Sequence, residues 1–463
     1  MKRTATAGLL VLALTGCRTL GPNYQRPALN VPEQHRGQTA PAEAASLADQ
    51  PWWDTFRDDA LKGLIAEGLK NGYDVQLAAW RVEEARANAG IIRSQVFPSF
   101  QGSLEIGRGR QNREDGTLIQ ANVAASWEID LWGRIRRSNE AALADYLASE
   151  EARRGVYLAL VSEIATDYFQ LRELDLQLEI ARRTSGAFQE TFDLFDRRLR
   201  GGAASALETT SAQASLASTN ATIPDLERQI VAQENLISFL LGRNPGPIPR
   251  GPALNDQFLP PDIPAGLPSD LLRRRPDLRE AEQNLVAANA SVGIAQADFF
   301  PRISLTGALG TVAPQFSQIF PEGRTWSIGG GLLTPVFQGR RLREQYKAAV
   351  ARWEQAKVRY EQSVTNAFSE VSTALVAYQK LAQVETERTR GVGAYREAVR
   401  LSNVRYGAGL SDYLEVLQAQ QQLFPAEIQL AQARYNRLAT LVQLYRALGG
   451  GWQIPDTGWA AAP

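Results

Sequence analysis

The chain has 463 residues, with 50 Lys and Arg against 50 Asp and Glu, so its formal net charge is zero and no bulk attraction draws it to nucleic acid. One cysteine and one histidine exclude an intrachain disulfide and a multi-cysteine zinc site, and nearly empty the usual repertoire of acid–base and metal catalysis.

Residues 1–16 carry the pattern of a secretory signal peptide. Lys2 and Arg3 precede an apolar run from Ala5 to Leu14, far shorter than the ~20 residues a spanning helix needs. Leu14, Thr15 and Gly16 ahead of Cys17 resemble a bacterial lipobox, in which the cysteine is acylated and becomes residue one of the mature chain. The alternative is an ordinary signal peptide followed by a chance cysteine. Arg18, in place of Asp, fits sorting to the outer membrane, and each buried acyl methylene adds ~0.8 kcal/mol of anchoring. Residues 17–59 form an arm rich in Pro, Ala and Gln, expected to lie extended over a surface. His35 falls in this arm, and a lone histidine in a polar, Pro-flanked stretch is expected in solvent.

Residues 60–242 follow a plan. A helical pattern with Leu61, Leu64, Ile65, Leu69, Val75, Leu77, Trp80 and Val82 runs to Phe97 and Pro98, which stop it. Strict alternation follows. Phe100, Gly102, Leu104 and Ile106 share one face, as do Ile119, Ala121, Val123, Ala125, Trp127 and Ile129, with a polar turn between, predicting a hairpin over 99–131. A helix is then predicted over 134–200, ~100 Å at 1.5 Å per residue. Val161, Ile164, Tyr168, Leu171, Leu174 and Leu178 give it a coiled-coil seam. Gly201 and Gly202 break it, and a return helix occupies 205–242, with a kink or restart expected at Pro224.

Residues 243–268 hold eight prolines and read as a linker. The plan then recurs over 269–449: a helix, a hairpin over 302–334, a long helix over 340–406 and a return helix over 411–448, before a tail at 450–463. Val364, Phe368, Val371, Leu375, Tyr378 and Leu381 supply the second seam. Leu207 and Glu208 stand 207 positions before Leu414 and Glu415, and Gly242 stands 207 before Gly449, which points to two homologous halves. Pro425 is expected to bend the last helix.

A soluble sheet with one face on a core is the bland reading of the four strands. Three features favour membrane strands instead: Trp127 and Trp326 on the apolar faces, strands of about ten residues, and no segment left over to cover the apolar side. Four strands cannot close a barrel, and open edges in lipid cost several kcal/mol per unpaired backbone group. Membrane strands therefore require an oligomer, and two, three or four copies would supply 8, 12 or 16 strands.

The chain resembles the outer-membrane efflux proteins of the TolC/OprM/NodT type over essentially its whole mature length. The residues that carry the resemblance are Leu14 to Cys17, Gly21 to Pro27, Trp53 with Phe56, Trp127 to Arg134, Arg275 to Leu278, Ala297 to Pro301, Arg405 to Gly409 and Leu444 to Trp452. It implies a mainly α protein with a transmembrane β part: a homotrimer whose 12-stranded barrel continues into a long periplasmic α-helical barrel. It also implies a periplasmic adaptor, an inner-membrane pump of the resistance-nodulation-division type and outer-membrane lipid as partners, with no nucleic acid. No cofactor is implied beyond the covalent lipid on Cys17, and no metal or catalytic residue. The implied gate lies at the helix tips, with Arg198, Arg200, Arg405, Tyr406, Ser411 and Asp412 as candidates and Asp412 able to serve equally as a helix cap. Gly201, Gly202, Gly407 and Gly409 are expected to turn the tips and let an adaptor approach; Gly202, Gly407 and Gly409 are the ones expected to need positive φ. Trp127, Trp132, Gly133, Trp326 and Gly339 are expected at the junction of strand and helix. The implied function is a passive gated duct for drugs or other toxic small molecules, with heavy-metal efflux or type I protein secretion as alternatives. An enzyme finds no Ser/His pair, metal cluster or P-loop to support it. A periplasmic coiled-coil scaffold lipoprotein would be soluble once freed of its anchor.

Overall fold

Two helices of equal length dominate the chain, each 67 residues, α3 (Arg134–Arg200) and α7 (Arg341–Gly407). Each is followed by a 35-residue return helix, α4 (Ala206–Leu240) and α8 (Tyr413–Ala447). The computed structural model describes residues 19–38, 46–49, 56–111, 114–203, 205–260, 263–315 and 324–450; Cys17, Trp52, Trp53 and residues 451–463 lie outside the described residues. Ahead of the long helices stand α1 (Asp59–Asn71), α2 (Tyr73–Ser94), β1 (Ser99–Gln111) and β2 (Glu114–Ile129) in the first case. In the second stand α5 (Leu271–Arg274), α6 (Pro276–Ala297), β3 (Arg302–Ala313) and β4 (Arg324–Leu333). Among the described residues, no helix is long and apolar enough to cross a membrane.

The chain divides into two compact units. One holds residues 1–29, 80–151 and 279–363, and with them the sheet. Its four strands run in the order β1-β2-β3-β4, all antiparallel. Register places every alternating apolar set on the same face. Phe100 opposes Ala125, Ala125 opposes Gly307 and Gly307 opposes Ile328; Gly102, Val123, Leu309 and Trp326 form the next row. Ser103, Asn122, Ser304 and Thr306 fall on the other face, where Ser103 Oγ donates to Asn122 Oδ1 at 2.9 Å. Trp326 and Ile328 remain 75% and 84% exposed, so this chain buries little of its own apolar face. From Ile119 to Ile129 that face extends ~33 Å along β2, about 25 Å of height at a 40° tilt. β1 and β2 exceed the expected ten residues, at 13 and 16.

The other unit holds residues 30–79, 152–278 and 364–463. The seam of α3 is buried as predicted, with Val161, Ile164, Tyr168, Leu171 and Leu174 in the core, and Val364, Val371, Leu375 and Tyr378 do the same on α7. The expected single helix over 60–96 is two. Gly72 takes an extended backbone between α1 and α2, and its N–H donates to Gly68 O at 2.7 Å. The break rephases the buried stripe onto Val75, Ala78 and Val82, leaving Leu77 and Trp80 49% and 68% exposed, against the single-helix pattern. Arg275 makes the matching break ahead of Pro276, which disfavours helical backbone at the residue before it. Glycines at the ends of the return helices pack against these breaks: a Cβ on Gly242 would stand 2.2 Å from Asn71 O, and one on Gly449 3.2 Å from the Arg275 N. α4 continues through Pro224 without the expected restart, and α8 runs on through Pro425.

The arm is extended and tied down. Gln379 Nε2 donates to Gly37 O at 2.8 Å and Ser372 Oγ to Arg36 O at 3.2 Å. His35 is only 4% exposed, with its ring centroid 6.5 Å from that of Phe368. This corrects the solvent placement expected for it: the arm's contact with α7, far away in sequence, buries the ring, and burial lowers its pKa below 6.5. The Pro-rich stretch is likewise fixed at Asp58. The Asp58 carboxylate accepts from the N–H groups of Ala60 and Leu61, from Tyr168 Oη and from Gln257 Nε2, all within 3.1 Å.

Candidate functional site

At the first strand–helix joint, acidic residues at the end of β2 organise the start of α3. Asp130 accepts from the N–H groups of Ile135 at 3.1 Å and Arg136 at 2.9 Å, satisfying donors that a helix start leaves open. Glu128 takes a two-pronged bond from Arg134, 2.9 Å in each arm. Trp132 Nε1 donates to Pro301 O at 2.8 Å, and its ring lies 4.8 Å from Phe300. Trp127 Nε1 donates to Val96 O at 2.9 Å. Gly133 has φ +80° and is pressed against the arm: a Cβ there would fall 2.3 Å from Thr19 Cγ2 and 2.8 Å from Thr19 Cα. Leu20 N–H donates to Trp132 O at 3.1 Å, and the buried Arg137 donates to Leu20 O, Gly21 O and Asn23 Oδ1. Further along the arm, Arg26 and Tyr24 share the Glu282 carboxylate on α6.

The second joint is built differently. Residues 334–340 are irregular, Gly339 and Arg340 have φ +53° and +70°, and Val336 and Phe337 are 91% and 88% exposed. Trp326 does not belong to it. It is the third residue of β4, at the loop end of the strand, four ladder positions along β3 from the partner of Trp127, or ~13 Å. This corrects its placement at the junction. β4 runs from its loop end back to the joint, so the two tryptophans stand at different levels of the apolar face instead of marking one.

At the helix tips, Phe188, Phe195, Ala212, Leu216, Tyr413, Val416 and Leu417 form a small apolar cluster with Phe192 and Tyr406 at its margin. Tyr413 meets Phe195 and Tyr406 edge-on at 4.4 and 5.1 Å, and its hydroxyl pairs with Thr191 Oγ1 at 2.6 Å. Arg198 donates to Tyr406 Oη, and its guanidinium carbon stands 5.4 Å from that ring's centroid. Arg200 pairs with Asp196 at 2.5 Å within α3 and is not brought to the other candidates.

The two tips turn alike. Gly202 and Gly409 have φ +72° and +71°, and Ala203 N–H reaches Arg198 O as Leu410 N–H reaches Arg405 O, the bonding of a left-handed helix end. Gly407, expected to need positive φ, does not: it is the last residue of α7. No atom lies within 4 Å of a Cβ built on Gly202, Gly407 or Gly409, so this backbone is open to approach.

Their caps differ. Ser205 and Glu208 form a reciprocal capping box at the start of α4. Asp412 holds the matching position ahead of α8 but its side chain makes no cap hydrogen bond. Glu415, where Glu208 stands in the first tip, pairs instead with Arg405 at 3.1 Å. Ser411 Oγ is buried without a partner. The sequence reading missed Asp130, Arg137, Thr191 and Glu415. An acid just ahead of a basic helix start was the available signal for Asp130; Glu415 could be found by aligning the two tips. Among the described residues no group of three or more His, Cys, Asp or Glu is placed to hold a metal ion.

The outer membrane efflux protein family model matches residues 64–243 and 267–450. The cation efflux system protein CusC of Escherichia coli K12 is 35% identical over 449 residues, covering 96% of this chain and 98% of the relative. Outer membrane protein OprJ of Pseudomonas aeruginosa PAO1 is 35% identical over 456 residues, covering 96% and 95%. The open-state crystal structure of the Neisseria gonorrhoeae MtrE outer membrane channel superposes with a TM-score of 0.87 at 30% identity, over 94% of this chain and 99% of that one. A sheet with an uncovered apolar face, two helical hairpins of matched length and these similarities lead to one conclusion: the chain belongs to the outer membrane efflux protein family, whose members are channels and not enzymes.

Proposed function

We propose that the chain is a lipid-anchored homotrimeric duct, acylated on Cys17, that carries toxic small molecules outward from an adaptor and an inner-membrane pump of the resistance-nodulation-division type. The observation that carries this reading is the sheet: four strands with one uninterrupted apolar face, exposed, and two unpaired edges at β1 and β4. Lipid covers such a face, and it does not tolerate such edges. Three copies pairing β4 to β1 close 12 strands and remove every edge. The matched 67- and 35-residue helices support descent of the two halves from one duplicated unit and their assembly into a helical barrel. The tips supply the gate, with Asp412 free of a capping role and breakable links between Arg198 and Tyr406 and between Arg405 and Glu415. The open glycine backbone at Gly202, Gly407 and Gly409 suits close approach by an adaptor.

Energy comes from the pump, and the duct is passive. Metal cations are the second reading for cargo, because the metal-efflux relative CusC and OprJ match this chain at the same 35% identity. Deletion of the gene, followed by susceptibility tests across dyes, antibiotics, organic solvents, copper and silver, decides between them. Sensitivity to organic compounds alone supports the first reading, and sensitivity to copper or silver alone the second. No change in any of these, with loss of secretion of one protein, overturns both. Purified protein that stays monomeric in detergent overturns the trimer.

A further inference from the structure

A cavity of about 390 Å³ opens between α3, α7 and α8, bordering the tip cluster, with which it shares Phe188. It is in the range of small-molecule sites, roughly 300–1,000 Å³. Its chemistry is unbalanced. Glu427, whose side chain is 6% exposed, takes Arg183 Nη2 from α3 at 2.6 Å and Arg396 Nη2 from α7 at 2.6 Å. One guanidinium would neutralise this carboxylate. Two leave a net +1, and both arginine side chains are more than half exposed, with Nη1 of each unpaired among the described residues. Beside them Phe188 and Phe424 supply an aromatic wall. Gln420, two turns before Glu427 on the same stripe of α8, carries a buried Oε1 without a hydrogen-bond partner. A buried acceptor left open is costly, and the missing group is a donor.

We propose that this cavity binds aromatic acids that carry an N–H or O–H donor. The acid group joins Arg183 and Arg396, the ring system lies against Phe188 and Phe424, and the donor meets Gln420 Oε1. Binding is non-covalent, and it stands whether or not Asp412 gates the duct.

The test uses the full chain in lipid nanodiscs, with empty nanodiscs as baseline and 4-anilinobenzoate as the probe in equilibrium dialysis. We expect saturable binding of one probe per chain, and at least tenfold weaker binding of the uncharged 4-anilinobenzamide. Ala187→Trp, at an exposed lining position on α3, fills the cavity without touching a charge and abolishes binding. Glu427→Gln removes the internal competitor for the two arginines and tightens binding about tenfold, ~1.4 kcal/mol. A merely structural ion triad gives no probe uptake above empty nanodiscs in either the parent or the Glu427→Gln protein, and that result overturns the proposal. Uptake that Ala187→Trp leaves unchanged overturns it as well, because the probe is then elsewhere.

Discussion

Arg198 and Tyr406 offer the sharpest test of the tips, because their link is made over the cluster's margin and can be removed without opening the core. Tyr406→Phe deletes one hydrogen bond and keeps the ring. The pair is largely exposed, so the bond falls near the middle of the net range, about 1 kcal/mol per chain. Arg198→Ala loses that bond and the stacking of the guanidinium on the ring, worth about 0.5 kcal/mol more at an exposed site. In a trimer that opens concertedly the losses triple. Tyr406→Phe then shifts the closed-to-open balance by ~3 kcal/mol, about 150-fold, and Arg198→Ala by ~4.5 kcal/mol, about 2,000-fold. Single-channel recording in planar bilayers reads both as open probability. The double variant should match Arg198→Ala alone, since Tyr406 has nothing left to lose once its partner is gone. Additive effects, or unchanged open probability in Tyr406→Phe, would refute the reasoning that this link holds the tips.

Three further outcomes are expected. Asp412→Ala should raise single-channel conductance with no loss of thermal stability, because the side chain caps nothing; unchanged conductance removes Asp412 from the gate. Asp58→Ala should destabilise the protein by about 3 kcal/mol, from ~1 for the lost cap and the rest for the stranded Tyr168 and Gln257 donors, read as a lowered denaturation midpoint. The His35 ring is held neutral by burial, and no charged side chain contributes to its shift. The unfolded chain therefore takes up the proton first: the ring's contribution is full above about pH 6.5 and is lost as pH falls below it. Protease access to the arm should rise over that interval, and His35→Phe should abolish the rise.

What the sequence revealed follows the range of each interaction. Strand faces were legible because alternation is local, and the register between strands only aligned sets already apparent in Phe100, Val123, Leu309 and Trp326. The seams on α3 and α7 were legible for the same reason. The break at Gly72 was signalled, since Asn71 and Gly72 are helix-ending residues, but continuous helical periodicity on both sides outweighed it. Arg275 before Pro276 was the same signal in plainer form. The burial of His35 was not legible at all, because Phe368 and Gln379 lie more than 330 positions away. The unmade cap at Asp412 was beyond sequence too: Ser205 and Asp412 are equally good capping residues, and only the capture of Glu415 by Arg405 distinguishes their settings.

The grip of the arm on Gly133 and Trp132 also sets a length. Leu20 is three residues beyond Cys17, and three residues span at most ~10 Å. If Cys17 is acylated and the strands close a barrel, as proposed, the lipid is leashed to the foot of β2, and lipid and barrel would not settle at independent depths. On that reading the first joint would work as a draught mark, fixing how far each chain sits in the bilayer. A side chain at Gly133 would meet Thr19 Cα at 2.8 Å and push the arm off the joint, and on that reading the channel's waterline would shift with it.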